Sequence, residues 1–337
     1  MGKISFLGAG SWGTALAVML AKNGHEVTLW SAVESEINML SEFREHKDRL
    51  PGTRLPDSIV LTTDLKQACS GFELIVFAVA SPYVRATAKR AAEYMTDGQR
   101  IVNVAKGIEE ETLSTLRDVI LQEIPHADVA VLSGPSHAEE VAVGMPTTVV
   151  AGSAKRETAE LVQEIFMNDM FRVYTSSDII GIELGGSVKN VIALAAGIID
   201  GLKLGDNTRA ALITRGITEI SRLGIKMGGH METFMGLSGI GDLIVTCTSE
   251  HSRNHTAGYL IGKGYTMEAA MKEVKQVVEG VHSAKATLAL AQKYDVSMPI
   301  VEQINKVLFE NMPVLDAVYG LLARDRCNEY PGLRWEE

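Results

Sequence analysis

Cysteine is scarce in this chain: Cys69, Cys247 and Cys327 are three among 337 residues, far apart and without metal-ligand spacing. That excludes a disulfide framework or a zinc motif and fits structural thiols in a reducing compartment. A surplus of positive charge is also missing. Lysine and arginine number 32 against 42 aspartates and glutamates, for a formal net charge of −10. No nucleic-acid or anionic-membrane partner is expected, because both need a basic surface, and an anionic ligand must therefore meet a local cluster of cations. No apolar run is read as reaching the roughly 18 residues that suggest a membrane span. The start, Met1-Gly2-Lys3-Ile4-Ser5-Phe6-Leu7, is too short and too soon followed by glycines to read as a signal peptide. The expectation is a cytoplasmic protein without stable membrane insertion. Internal repeats and low-complexity tracts are absent too.

What is present is an ordinary globular composition, 46% hydrophobic and 22% charged, in a chain long enough for two domains. The first, residues 1–177, alternates strand and helix. Lys3 to Leu7 reads as a strand, Gly8-Ala9-Gly10-Ser11-Trp12-Gly13 follows, Thr14 to Asn23 is helical, and Glu26 to Trp30 is a second strand. This is the setting in which G-x-G-x-x-G binds a dinucleotide: Gly8, Gly10 and Gly13 serve the tight turn, the approach of the pyrophosphate and close helix packing. Helix N-terminal amides then face the phosphates. Further strands are expected at 59–61, 74–79, 100–105, 129–132, 147–151 and 171–174. The fold class is therefore α/β, a Rossmann-type, doubly wound, mainly parallel sheet with ligands at the carboxyl ends of its strands. Lys106 sits just past such an end. At the end of the second strand, Ser31-Ala32-Val33-Glu34 offers no base for a 2′-phosphate, which favours NAD over NADP. Arg44 or Lys47 folding back, and Glu34 reaching the ribose, stay open as alternatives.

The second domain, residues 178–337, is expected to be all-α, with helices near 178–200, 207–223, 230–247, 252–262, 266–277, 280–294, 298–309 and 313–323. A helix over 178–200 surrounds Lys189 with Gly185, Gly186, Ile192, Ala193 and Ala196 on its own face. Small side chains there let another backbone or a ligand come near. A lysine kept dry in this way, beside another cation, has a depressed pKa and serves as acid and base near neutrality.

Several motifs resemble the bacterial NAD(P)-dependent sn-glycerol-3-phosphate dehydrogenase family, in the family's order: Gly8 to Ala15, Ala105-Lys106-Gly107, Ser133 to Ser136, Gly186 to Asn190, Gly239 to Leu243, Ser252-Arg253-Asn254 and Gln276 to Gly280. The resemblance implies reversible reduction of dihydroxyacetone phosphate to sn-glycerol 3-phosphate, feeding glycerophospholipid synthesis. It assigns Lys189 as proton acceptor in oxidation and donor in reduction. It assigns Lys106, Gly134, Ser136, Lys189, Asp242, Ser252, Arg253 and Asn254 to the substrate. Cofactor contacts are Ser11, Trp12, Ala32, Lys106, Ala138, Arg253, Val277 and Glu279. Many relatives carry His or Arg beside the position of Ala32, and this chain does not.

Chemistry gives these residues roles. Reducing a carbonyl builds charge on its oxygen, so Lys189 supplies a proton while Lys106 polarises the oxygen and acidifies Lys189. Ser252-Arg253-Asn254, at an expected helix start, suits a phosphate. Asp242, after the turn Gly239-Ile240-Gly241, orients Lys189 or accepts a substrate hydroxyl, or else merely caps a helix. Ser136 and Glu139 match an S-x-x-E capping box, and Glu279 reads from spacing alone as a solvated carboxylate. His251 and His255 have i, i+4 spacing but no third ligand, so no metal is expected. Two rivals remain: a lysine-dependent hydroxyacid dehydrogenase of the same plan, and a non-enzymatic nucleotide sensor. The sequence leaves a monomer or a homodimer open.

Overall fold

The computed structural model describes residues 1–326, 328 and 329, so Cys327 and the last residues of the expected second domain lie outside the described residues. Among the described residues ten strands occur: β1 (Lys3–Leu7), β2 (Glu26–Trp30), β3 (Glu45–His46), β4 (Leu50–Arg54), β5 (Val60–Thr62), β6 (Leu74–Phe77), β7 (Arg100–Asn103), β8 (Asp128–Ser133), β9 (Thr147–Gly152) and β10 (Phe171–Ser176). Eight form one sheet in the order β10-β9-β8-β7-β6-β1-β2-β5, while β3 and β4 make a separate hairpin that the sequence reading did not anticipate. All neighbours in the large sheet are parallel except β8 and β9.

Side chains alternate across this sheet, and both faces are covered. Ile4 and Phe6 of β1 enter one apolar cluster and Leu7 enters another, which is why parallel strands here are almost continuously apolar. Strand order reverses at β1, which lies between β2 and β6, and that switch point opens the crevice where such sheets bind ligands. Gly8 makes the turn there at φ 122°, and a Cβ on it would lie 2.6 Å from the backbone of Ala78 and Val79, just past β6.

Among the described residues no strand follows Ser176, and the remainder is helical as expected. The central element is the 23-residue helix Ile179–Gly201, started by the Asp178 carboxylate, which accepts the Gly181 N–H at 2.9 Å. Apart from Glu183, Ser187, Lys189, Asn190 and Asp200 its residues are apolar or glycine, because other elements surround it. This corrects one expectation: with a mean hydropathy of 1.5, the helix is long and apolar enough to cross a membrane, yet it is mostly buried inside the protein. Helix Arg253–Gly262 crosses it at backbone contact. A Cβ on Gly258 would fall 2.0 Å from the Leu194 carbonyl oxygen. Gly258→Ala is accordingly expected to lower unfolding stability by about 2–4 kcal/mol, measured by urea denaturation.

Candidate active site

The site is built where helix Ile179–Gly201 passes the carboxyl ends of β7 and β8. Gly185 lets the Ser238–Gly239 backbone approach, since a Cβ there would lie 2.2 Å from the Ser238 carbonyl oxygen. On the same face a Cβ on Gly186 would stand 3.5 Å from Cγ of Lys106. The small residues around Lys189 thus admit both a backbone and a second lysine. The Lys106 loop is held by Asn103, whose side chain bonds the Ala105 N–H and carbonyl, and by Ser187 Oγ, which donates to the Gly107 carbonyl at 3.0 Å.

The two ammonium groups share one carboxylate. Lys189 Nζ donates to Asp242 Oδ1 at 2.6 Å and to Thr246 Oγ1 at 2.6 Å. Lys106 Nζ donates to Asp242 Oδ2 at 2.8 Å and to the Gly134 carbonyl at 3.0 Å. An ammonium has three donors, so each lysine keeps one N–H for a ligand. Asp242 is 1% exposed and Lys189 5% exposed. Burial lowers the Lys189 pKa to about 8, with the charge of Lys106 pushing the same way and Asp242 opposing both. Desolvation therefore outweighs the counter-ion, and the amine titrates near neutrality.

Asp242 is not a plain N-cap, and the expected tight turn is a π-helical segment, Leu237–Gly241, running straight into helix Asp242–Thr248. The sequence reading missed Thr246, which the i, i+4 spacing places on the Asp242 face of that helix. It also missed His137, whose Nε2 donates to the Val245 carbonyl at 3.4 Å and whose ring lies 5.9 Å from that of His251. Burial and the charge of Lys189 lower the His137 pKa. Cys247 is also nearby, but burial pushes its thiol up to about 12, as it does for Cys69, so both are unreactive.

Other candidate substrate residues divide by how much of each side chain is already committed. Ser252 caps helix Arg253–Gly262 by accepting the His255 N–H at 3.2 Å, and the Asn254 amide bridges Asn190 at 3.0 Å and the Gly280 N–H at 2.8 Å. One N–H and one lone pair of the Asn254 amide are thus used inside the protein, and its second N–H is left for a ligand. Arg253 is exposed beside Gln276, with 3.4 Å between Nη1 and Oε1. Ser136 does not form the expected capping box: helix Ala138–Ala142 begins one residue later at His137, and Ser136 Oγ donates instead to the Gly134 carbonyl at 3.0 Å. Extended backbone at His137 carries the Ser136 hydroxyl away from the helix start.

At the dinucleotide crevice a Cβ on Gly13 would lie 2.1 Å from the Gly8 carbonyl oxygen, whereas Gly10 faces open space apart from an Arg49 Nη1 at 3.7 Å. Turn, packing and open approach are divided among the three glycines as the fingerprint requires. This cradle fits a dinucleotide. Ser11 donates to the Arg49 carbonyl at 2.9 Å, and Trp12 packs with Ala15, Leu50, Ala138 and Ala142. Val277 is partly buried. Glu279 is not a solvated carboxylate. It accepts the Ser81 N–H at 3.1 Å and the Ser81 hydroxyl, reaching across to the loop after β6, and burial raises its pKa.

At the adenosine end neither Arg44 nor Lys47 folds back to the turn after β2, while Glu34 is exposed and free. Arg44 donates to the Pro56 and Ile59 carbonyls, and Lys47 lies over the Phe43 ring at 4.2 Å. Ala32 and Glu34 are exposed. The base that arrives is Arg49, carried by the unanticipated hairpin. His255 turns to Asp200 at 2.8 Å while the His251 ring lies tilted at 58° beside that of His137, so their helical spacing does not make a common site. Among the described residues no group of three His, Cys, Asp or Glu side chains is arranged to hold a metal.

Comparison with known proteins agrees along the whole chain. Residues 3–159 match the NAD-dependent glycerol-3-phosphate dehydrogenase N-terminus and residues 178–319 match the C-terminus of the same family. The glycerol-3-phosphate dehydrogenase [NAD(P)+] of Agathobacter rectalis is 61% identical over 336 residues, covering 100% of both chains. That of Bacillus subtilis is 51% identical over 99% of this chain and 97% of its own. The crystal structure of glycerol-3-phosphate dehydrogenase from Coxiella burnetii superposes with a TM-score of 0.93 at 39% identity, covering 96% of this chain and 99% of that one.

Proposed function

The chain belongs to the NAD-dependent glycerol-3-phosphate dehydrogenase family, and on that premise we propose that Lys189 is its proton donor, with Asp242 and Lys106 setting its acidity. The activity is that of an NAD(P)-dependent oxidoreductase acting on a CH–OH group, reversibly reducing dihydroxyacetone phosphate to sn-glycerol 3-phosphate for glycerophospholipid synthesis. The observation that carries the mechanistic reading is the single buried carboxylate shared by two ammonium groups, each with one donor left.

A bound reduced nicotinamide supplies the hydride. The chain must then stabilise the charge that grows on the carbonyl oxygen and deliver a proton to it. Lys106 donates a fixed hydrogen bond, and Lys189 gives up its proton readily because burial has already weakened its hold on it. In oxidation the neutral Lys189 takes the proton back from the alcohol. Lys106, Gly134 and Ser136 line one side of this position, and Ser252, Arg253 and Asn254 the other, with Arg253 the cation for the phosphate. Residues 1–177 form the dinucleotide-binding domain in this reading, and residues from 178 onward the substrate domain. Gly8, Gly10, Ser11, Trp12, Gly13, Ala32, Ala138, Val277 and Glu279 are its cofactor residues. A sensor would have no use for two lysines on one carboxylate, which favours catalysis over the non-enzymatic rival.

The test is spectrophotometric. Dihydroxyacetone phosphate should oxidise NADH or NADPH, and 3-hydroxy acids should fail to reduce NAD or NADP; the reverse pattern would assign the hydroxyacid rival. Arg253→Ala is expected to raise the KM for dihydroxyacetone phosphate by about 10- to 100-fold, the scale of a lost charge-assisted pair. An unchanged KM would remove Arg253 from the phosphate position. The reading also includes a cytoplasmic enzyme without membrane insertion. Sedimentation velocity decides between the monomer and the homodimer.

A further inference from the structure

We propose that Arg49 reads the 2′-phosphate of NADP(H), so that this chain prefers NADPH to NADH although the end of β2 carries no base. The proposal rests on the dehydrogenase reading above and names the cofactor that its site favours.

A Rossmann site for NAD presents a free carboxylate to the adenosine ribose, and one for NADP presents a guanidinium. The acid nearest the end of β2 here is not free. Glu36 is 8% exposed and spends both oxygens internally: Oε2 accepts Ser31 Oγ at 2.5 Å, while Oε1 lies 3.1 Å from His46 Nε2 and 3.0 Å from Arg49 Nη1. Burial alone would raise its pKa, but the bonds from His46 and Ser31 and the charge of Arg49 hold it below the usual carboxylate range. Glu36 is therefore a charged anchor that fixes Arg49. The Ser31 hydroxyl, at the position that would otherwise meet the ribose, is bound to the same anchor and also accepts the Val33 N–H at 3.1 Å.

Arg49 itself is held on three sides. Its carbonyl accepts Ser11 Oγ, Leu50 beside it is buried against Ala15, Ala138, Ala142 and Trp12, and its Nη1 meets Glu36. The same Nη1 stands 3.7 Å from where a Cβ of Gly10 would be. The guanidinium thus spans the gap between the helix after β2 and the glycine turn, which is where the adenosine ribose must lie in this fold. Its side chain remains 43% exposed. Its Nη1 is paired with Glu36 by charge at 3.0 Å, which leaves the N–H fork for a phosphate, the geometry for which arginine is suited. Charges of opposite sense nearby are Glu34, exposed on the first turn after β2, and Glu45, whose Oε1 accepts the Gly52 N–H at 2.8 Å. Glu34 is thus the free carboxylate that competes with this assignment.

The experiment compares kcat/KM for NADPH and NADH with saturating dihydroxyacetone phosphate, in the natural chain and in Arg49→Ala, Arg49→Lys and Glu34→Gln, at low and high salt. The expected natural ratio favours NADPH by about tenfold or more. Arg49→Ala should lower that ratio by roughly 10- to 100-fold, as for a lost charge-assisted pair. Arg49→Lys should fall between, and KM for NADPH should rise with salt more than KM for NADH. The proposal is overturned if the natural chain favours NADH, if Arg49→Ala changes both cofactors by the same factor, or if Glu34→Gln weakens NADH selectively. Should neither cofactor support reduction, the dehydrogenase reading fails instead, and fluorescence titration of the two reduced dinucleotides against Arg49→Ala still decides the role of Arg49.

Discussion

Lys189→Ala is expected to lower kcat for ketone reduction by about 10²- to 10⁴-fold, the contribution of a positioned general acid, with the Kd for NADH held within about twofold. Binding should survive because Lys189 sits over the junction with helix Asp242–Thr248, while the glycine cradle and the Ser81–Glu279 contact are elsewhere. Folding should survive because Asp242 keeps Lys106 at 2.8 Å as its counter-ion, so no buried charge is stranded. Stopped-flow single turnovers with NADH check the chemical step apart from product release. Equal loss of binding and turnover would mean that the substitution unfolds the site. The pH dependence follows from the same amine. With a pKa of about 8, Lys189 is protonated below that value and able to donate. Reduction should therefore fall as pH rises through about 8, and oxidation should fall as pH drops below it. Lys189→Ala should abolish that limb in both directions.

Much of this arrangement could be read before folding, because it depends on local spacing. The glycine turn, the strands around it and the lysine on a face of glycine and alanine are all set within a few residues. What could not be read depends on partners distant in the chain. The β3–β4 hairpin escaped notice because Leu50–Arg54 contains Pro51 and Gly52 and its pairing slips at Glu45 and His46; with it went Arg49. The S-x-x-E pattern at Ser136 has the right letters, but the extended backbone at His137 starts the helix one residue late. Two buried carboxylates were also invisible. Glu183 accepts the Arg117 N–H at 2.9 Å, and Glu219 accepts the Ile300 N–H, each capping a helix start supplied from far along the sequence. Burial raises both to about 7. Thr246 was missed for a different reason: the signal was there, since its fourth-residue spacing from Asp242 puts both on one helical face, but nothing in the sequence pointed Lys189 at that face.

Asp242→Asn should have the second-largest effect, and it separates the roles of the two lysines. An amide has one acceptor end. If its oxygen turns to Lys189, its NH2 group faces Lys106, donor against donor, where the carboxylate now accepts from both at 2.6 and 2.8 Å. Removing the negative charge also removes the main influence that holds the Lys189 pKa up, leaving burial and the charge of Lys106 unopposed. The protein has an escape from two adjacent uncompensated ammoniums, because Lys189 can drop its proton. From a pKa of about 8, doing so at pH 7 costs on the order of 1–2 kcal/mol, well below the roughly 3–5 kcal/mol of a stranded buried charge. The fold should therefore survive with a modest loss of urea stability while reduction at pH 7 falls by about 10²- to 10³-fold for want of a protonated donor. The limb near pH 8 should move acidic by about three units, the shift that a 10²-fold loss of protonated donor at pH 7 requires, so that activity returns as pH is lowered. A limb that stays at its natural position in Asp242→Asn would show that the carboxylate does not govern Lys189, and the shared-carboxylate mechanism would fall with it.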